Sequence, residues 1–271
     1  MRNLTVWIKR TALAVPALIA TVAAAPAVAL PQEFSAVYSA TARNMTVGQA
    51  ELHLQRKGDE YQYSSRMQAT GLIGLFVRDR IHELSSGRLT DGGIRPVRYD
   101  YRRSGSDDGR EDMIRFASAG EEEALLRYKG DTRNADLPDA ALDPLSLQIA
   151  LMNDVAAGRQ TMRYLVAEPK RLSAYELKVA GRERISTPQG ELEAIRVDLI
   201  GRQKLESGEA FSLADAEIPP LAEDERTSFW FVPALDYLIA RIRHLDPDEG
   251  AMGIDLERIE TLRLPERAGG A

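Results

Sequence analysis

Past residue 29 the chain is dominated by short runs in which apolar and polar residues alternate with a period of two, each closed by turn-forming residues. That period belongs to a half-buried antiparallel sheet and is incompatible with a helical bundle. Phe34, Ala36, Tyr38 and Ala40 share one face, Leu52 and Leu54 follow in a second run, and Tyr61, Tyr63, Ser65 and Met67 in a third. Lys57-Gly58-Asp59 joins the second run to the third. Asp91-Gly92-Gly93 precedes Pro96 to Tyr101, and Ser104 to Gly109 precedes Met113 to Phe116, so each link is suited to reversing the chain. Later runs carry the same signature: Tyr175, Leu177 and Val179, then Ile195, Val197 and Leu199 opposed to Arg196 and Asp198. The Thr187-Pro188-Gln189-Gly190 stretch between them predicts a hairpin. Phe229 to Val232, Leu238 to His244 and Met252 to Leu262 read as the final strands, after a long acidic loop from Ser207 to Arg226.

One segment breaks the pattern. Asp143 to Val155 has a capping aspartate, Pro144 at the first helical position and Gly158 to end the helix in a left-handed conformation. Leu145, Ile149 and Met152 line one side and Leu147, Leu151 and Val155 another, so this helix is expected to be buried. No repeat of fixed period and no linker divides the rest, so residues 30–271 are expected to form a single β-rich domain.

Residues 1–29 follow the grammar of a signal peptide. A basic stretch with Arg2, Lys9 and Arg10 leads into a short run of Ala, Val, Leu and Ile interrupted by Pro16, and Ala27 and Ala29 fit a peptidase site before Leu30. The run falls short of the roughly 20 apolar residues of a spanning helix, and no later segment approaches that length. The expectation is an exported, periplasmic protein, soluble and without a transmembrane segment once the leader is removed. The net charge of −6 becomes more negative when the basic leader leaves, which argues against a nucleic-acid partner. With no cysteine, the chain has no disulfide framework, no thiolate metal site and no residue to acylate.

The order of several features resembles the bacterial exported-protein family catalogued as domain of unknown function 3108. These are Tyr38 with Val47-Gly48 and Leu52, the strand from Tyr61 to Gly71, Pro96 to Tyr99, Asp143-Pro144-Leu145-Ser146, Gly181-Arg182-Glu183 with Thr187 to Gly190, and Trp230. The resemblance implies a mainly β fold, an antiparallel curved sheet or incompletely closed β-barrel embracing one central buried helix. It implies no catalytic residues.

Candidate chemistry is sparse. His53, His82 and His244 fall in separate strands without ligand spacing, so no metal site and no cofactor are expected. The acidic stretches at Asp107 to Asp112 and Asp215 to Glu225 lack a calcium-loop pattern and read as solvated turns. No nucleophile elbow or phosphate loop is present. The most informative stretch is Gly71-Leu72-Ile73-Gly74-Leu75-Phe76, an apolar run with glycines directly after a strand. It fits either a lip gating a hydrophobic cavity or core at a barrel corner. Trp230 poses the same choice, and Arg78 with Asp79-Arg80 and Arg102-Arg103 could meet phosphate or carboxylate groups.

Three functions are compatible with this pattern. The first is non-enzymatic binding of a hydrophobic or amphiphilic envelope component, lipid-like or glycan, or help in assembling the envelope, on a concave β surface. The second is an enzyme acting on envelope glycan or lipid through carboxylates in that concavity, which buried, converging acids without arginine partners would favour. The third is a scaffold for another envelope protein, which would show a filled interior and an exposed apolar edge.

Overall fold

The computed structural model describes residues 31–264 apart from 44, 71–78, 106–108, 206–212, 214–215 and 248–249. The first half of the fold contains β1 (Glu33–Ala42), β2 (Met45–Lys57), β3 (Glu60–Ala69), β4 (Arg80–Thr90), β5 (Gly93–Ser104), β6 (Arg110–Arg115), β7 (Ala124–Tyr128) and β8 (Asp131–Ala135). The second contains β9 (Ala141–Leu142), helix α1 (Pro144–Ala156), β10 (Thr161–Ala167), β11 (Leu172–Thr187), β12 (Gly190–Leu205), β13 (Arg226–Val232), β14 (Leu238–Asp246) and β15 (Gly250–Arg263). The described strands form one sheet in the order β8 to β1, then β15 to β9. Every pairing is antiparallel except that of β9 with β10.

This order forces curvature. At about 4.8 Å per strand, a flat sheet of 15 strands would hold its edges about 67 Å apart. Yet the two edges, β8 and β9, are consecutive in the chain, and the link from Ala135 to Ala141 reaches at most about 20 Å. The sheet therefore curls until its edges approach without hydrogen-bonding to each other, giving the incompletely closed barrel that the resemblance implies. β9 packs against β5 across the opening, and α1 touches β3, β4 and β5 on one side and β9 and β10 on the other. One edge, β8, is short and polar and the other, β9, has two residues, which discourages further strand addition.

The alternation decides what lies inside the curl. Phe34, Ala36, Tyr38 and Ala40 are buried, as are Ala50, Leu54, Tyr61 and Tyr63. Phe34 meets Tyr63 edge to face with centroids 5.7 Å apart. The helix fills the remaining centre: Leu145, Ile149, Leu151 and Met152 are almost fully buried, each contributing about 1.5–3 kcal/mol of burial. Asp143 Oδ1 accepts from the backbone N–H of Leu145 and Ser146, both at 2.9 Å, and Ser146 Oγ accepts from Asp143 N–H at 2.8 Å, which closes a capping box. Gly158, at φ +78°, follows the helix as expected.

One expectation from the sequence needs correction, and three strands lay outside it. Arg110-Glu111-Asp112 belongs to β6 and not to a solvated turn: Glu111 pairs with Arg102 at 2.8 Å, and the buried Asp112 accepts from Lys129 N–H at 2.8 Å. Strands β7, β8 and β10 carry too little regular alternation to be marked by the sequence, and the sheet's pairing makes them strands.

Candidate functional site

Two places in the fold combine polar groups with unusual surroundings. The first is inside the curl. β4 points Glu83 and Ser85 inward beside the tyrosines of β3 and β5. Ser85 Oγ donates to Asp143 Oδ2 at 2.7 Å and is 3.1 Å from the Tyr61 hydroxyl, tying the helix cap to the sheet. The Tyr63 hydroxyl donates to Gln148 Oε1 on α1 at 2.9 Å, and that of Tyr99 donates to Glu83 Oε1 at 2.5 Å. Burial pushes the Glu83 carboxyl above the ordinary glutamate range, and Asp143 and Glu168 push it the same way, against the Tyr99 hydrogen bond. Burial also raises Asp143, against the hydrogen bonds that it accepts. Among the described residues neither acid forms a salt bridge with an arginine. Asp143 has both oxygens occupied by the cap and Ser85, which leaves Glu83 as the acid available for chemistry.

The second place is a cleft of about 400 Å³, within the size range of small-molecule sites. It opens at the seam between the two halves, where the β4–β5 turn, β9, the C-terminal part of α1 and the start of β10 converge. Leu89, Ile94, Leu142 and Ala150 give it apolar walls on one part, and Asp91, Arg95, Arg159 and Arg163 give it a charged margin. Asp154 accepts from the Tyr164 hydroxyl at 2.6 Å and pairs with Arg159 at 3.1 Å, so its charge is balanced. Beside it the buried Asn153 Oδ1 has no hydrogen-bond partner among the described residues. Leaving such an oxygen unsatisfied costs about 1–3 kcal/mol.

The candidates singled out in the sequence are dispersed. Gly71, Leu72, Ile73, Gly74, Leu75, Phe76 and Arg78 lie outside the described residues. Trp230 is buried on the outer face, paired in register with Arg196 and Arg241. Its Nε1 donates to Glu183 Oε1, and the Arg241 guanidinium stands 6.0 Å from its ring. Arg103 is matched with Asp79 and Arg102 with Glu111, whereas Arg80 pairs with no acid among the described residues. His53, His82 and His244 lie on β2, β4 and β14, and no group of described side chains is placed to hold a metal ion. Among the described residues the exposed large apolar residues are Met45, Val97, Ile200 and Leu245, on four different strands, and Leu264 just after β15.

Sequence reasoning passed over Glu83 and Asn153. Glu83 was detectable as a carboxylate at an inward position of β4, between Ile81 and Ser85. Asn153-Asp154 was detectable as a polar pair near the end of an otherwise apolar helix. Neither signal names the residues that each meets across the fold.

Comparison with solved structures shows similarity to a β-barrel-like protein of domain of unknown function DUF1849 from Brucella abortus. The TM-score is 0.54 at 10% identity, covering 89% of this chain and 100% of that one. The chain is also similar, at a TM-score of 0.34 and 10% identity, to a protein from Bacteroides fragilis described as exported with a YmcC-like fold, over 86% of this chain and 97% of that one. A protein from Parabacteroides distasonis described as a lipoprotein gives a TM-score of 0.34 at 11% identity, over 85% and 97%. No curated protein matches the chain. No described helix is long and apolar enough to cross a membrane. The family described as a protein of unknown function, DUF3108, matches residues 37–257, and the chain belongs to that family.

Proposed function

We propose that the chain is an exported binding protein that takes an apolar or amphiphilic envelope component into the seam cleft. The leader supports export, and the apolar walls support the ligand class. The observation that carries the reading is Asn153 on the lining of that cleft, whose buried Oδ1 has no hydrogen-bond partner among the described residues and would meet a ligand by turning toward the cleft. A ligand with an apolar body and one hydroxyl or amide donor would satisfy both. N-phenylnaphthylamine, an apolar fluorophore with a single N–H donor, is the test probe. Ala157→Trp, a change at the exposed cap beside the cleft, should weaken its binding at least tenfold. Asn153→Leu should weaken it while raising the melting temperature, because the orphaned oxygen is removed. Unchanged affinity in both variants would remove the reading. The Gly71 to Phe76 run is a second candidate contact for the same ligand class, and Leu75→Ser with Phe76→Ser should then lower affinity for the same probe.

A second reading, an enzyme acting on envelope glycan or lipid, is favoured by one observation. Glu83 is a buried carboxyl whose pKa is raised by burial and by neighbouring acids, the direction that a general acid requires. Hydrolysis of envelope glycan or lipid by the purified protein, lost in Glu83→Gln at unchanged melting temperature, would support it. Absence of turnover in the wild type would dismiss it.

A further inference from the structure

The outer face of β2 to β5 carries an arrangement that the binding reading does not use. Residues directly opposite one another in the sheet share a face, and the register sets Glu51, Arg66, His82, Arg102 and Glu111 in one row. Gln68, Arg80 and Ser104 form the neighbouring row on the same side. All of these except Glu111 line a hollow of about 260 Å³. Three guanidinium groups and an imidazole thus meet in one place on a chain whose net charge is −6.

Opposed like charges on adjacent strands destabilise a sheet, and His82 stands in register between Arg66 and Arg102, so its protonated form is the one that they repel. Glu111 answers Arg102 at 2.8 Å. Arg66 and Arg80 form no salt bridge among the described residues, although Glu51 lies directly opposite Arg66. Among the described residues, Arg66 and Arg80 thus stand without a salt bridge around a concave surface, with the side chains of Gln68 and Ser104 as additional donors. An anion with several acceptor oxygens would turn this repulsion into charge-assisted hydrogen bonds, and arginine suits phosphate because its planar fork donates two bonds at once.

We infer that Arg66, Arg80 and His82 form a site for a phosphate-bearing group on the outer face, separate from the seam cleft. His82 makes the site responsive to pH. Burial and the adjacent Arg66 and Arg102 lower its pKa, Asp100 opposes them, and Glu51 is the remaining acid on the rim. A bound anion favours the charged imidazole, so the contribution of His82 to binding strengthens as pH falls.

The test uses the purified protein and two probes. Inorganic phosphate is titrated while the His82 imidazole resonances are followed by NMR, and vesicles of phosphatidylglycerol or of phosphatidylcholine are assayed by co-flotation. A saturable shift of the His82 signals with phosphate supports a site for free phosphate or a soluble ester. Capture by phosphatidylglycerol vesicles alone, without a phosphate response, supports a lipid headgroup. In either case Arg66→Gln with Arg80→Gln should weaken binding at least tenfold at an unchanged melting temperature, since both side chains are exposed. The inference is overturned if neither probe binds, if the two kinds of vesicle are captured equally and phosphate gives no response, or if the double variant binds like the wild type.

Discussion

Asp143 shows how much one side chain can specify. Its carboxylate caps α1 through Leu145 and Ser146 and receives the Ser85 hydroxyl from β4, so a local helix start is also a contact 58 residues away. Ser85→Ala should therefore cost about 1–3 kcal/mol in urea unfolding, because Asp143 Oδ2 and the Tyr61 hydroxyl lose a buried partner together. A loss below 0.5 kcal/mol, the ordinary size for a surface change, would show that the link contributes little (about 0.5 kcal/mol). Glu83 allows a pH prediction. Its folded pKa lies above the ordinary glutamate value of 4.5, so the folded state holds the proton more tightly than the unfolded chain does. Stability from this group is present at low pH and is lost as pH rises from the ordinary value through the folded one. Glu83→Gln removes that loss while keeping an acceptor for Tyr99. Its stability relative to wild type should grow as pH is raised from about 4.5, and a pH-independent difference would contradict the assignment. At this scale the capping aspartate was legible because its signal lies within four residues. For Glu83 only its inward position was, because a polar position of that kind acquires meaning from partners on other strands.

At the scale of elements, α1 is the piece on which both halves of the sheet close. The sequence marks it from Asp143 to Val155, and the structure has it from Pro144 to Ala156. Its apolar circumference was the correct indication of burial, because strands β3 to β5 and β9 to β10 approach it from different sides. Ile149 is fully buried, and Ile149→Ala should cost about 2–5 kcal/mol by denaturant unfolding, with the midpoint shifted. A cost under about 1 kcal/mol would mean that the site collapses around the deletion. The hairpin at Thr187 to Gly190 was equally legible, with Gly190 at φ +112° and Thr187 paired with it. Where the sequence was least informative, cross-strand partners decide the outcome. Arg110 to Asp112 reads as a solvated acidic turn until Arg102 and Arg103 are placed opposite it. Gly87 is a similar case: a Cβ there would stand 2.7 Å from the Pro96 Cα, a close approach that no local pattern announces.

At the scale of the molecule, the chain leaves β1, winds outward to β8, crosses five residues to β9 and winds back until β15 pairs with β1. Short-range alternation carries no record of that order, since β1 and β15 are joined by more than two hundred residues and recognise each other only after both halves exist. Glu33 and Arg263 are partners in the register, and Gln32 N–H donates to the Arg263 carbonyl at 2.8 Å. A circular permutant that joins residues 32 and 263 through a short flexible linker and opens the chain at 136–140 should therefore keep the fold, with circular dichroism and cooperative melting close to wild type. A permutant that fails to fold would show that the β8–β9 link is needed to bring the edges together. Closure around α1 without edge-to-edge hydrogen bonding leaves the seam open, and the seam is where the cleft lies.

Native mass spectrometry of the protein purified gently from the cells that produce it tests that assignment most directly, with analysis of whatever leaves on denaturation. The account predicts one amphiphilic or apolar molecule per chain, absent from Ala157→Trp purified in parallel. A clean unliganded mass for the wild type, or a ligand retained equally by the variant, would contradict it.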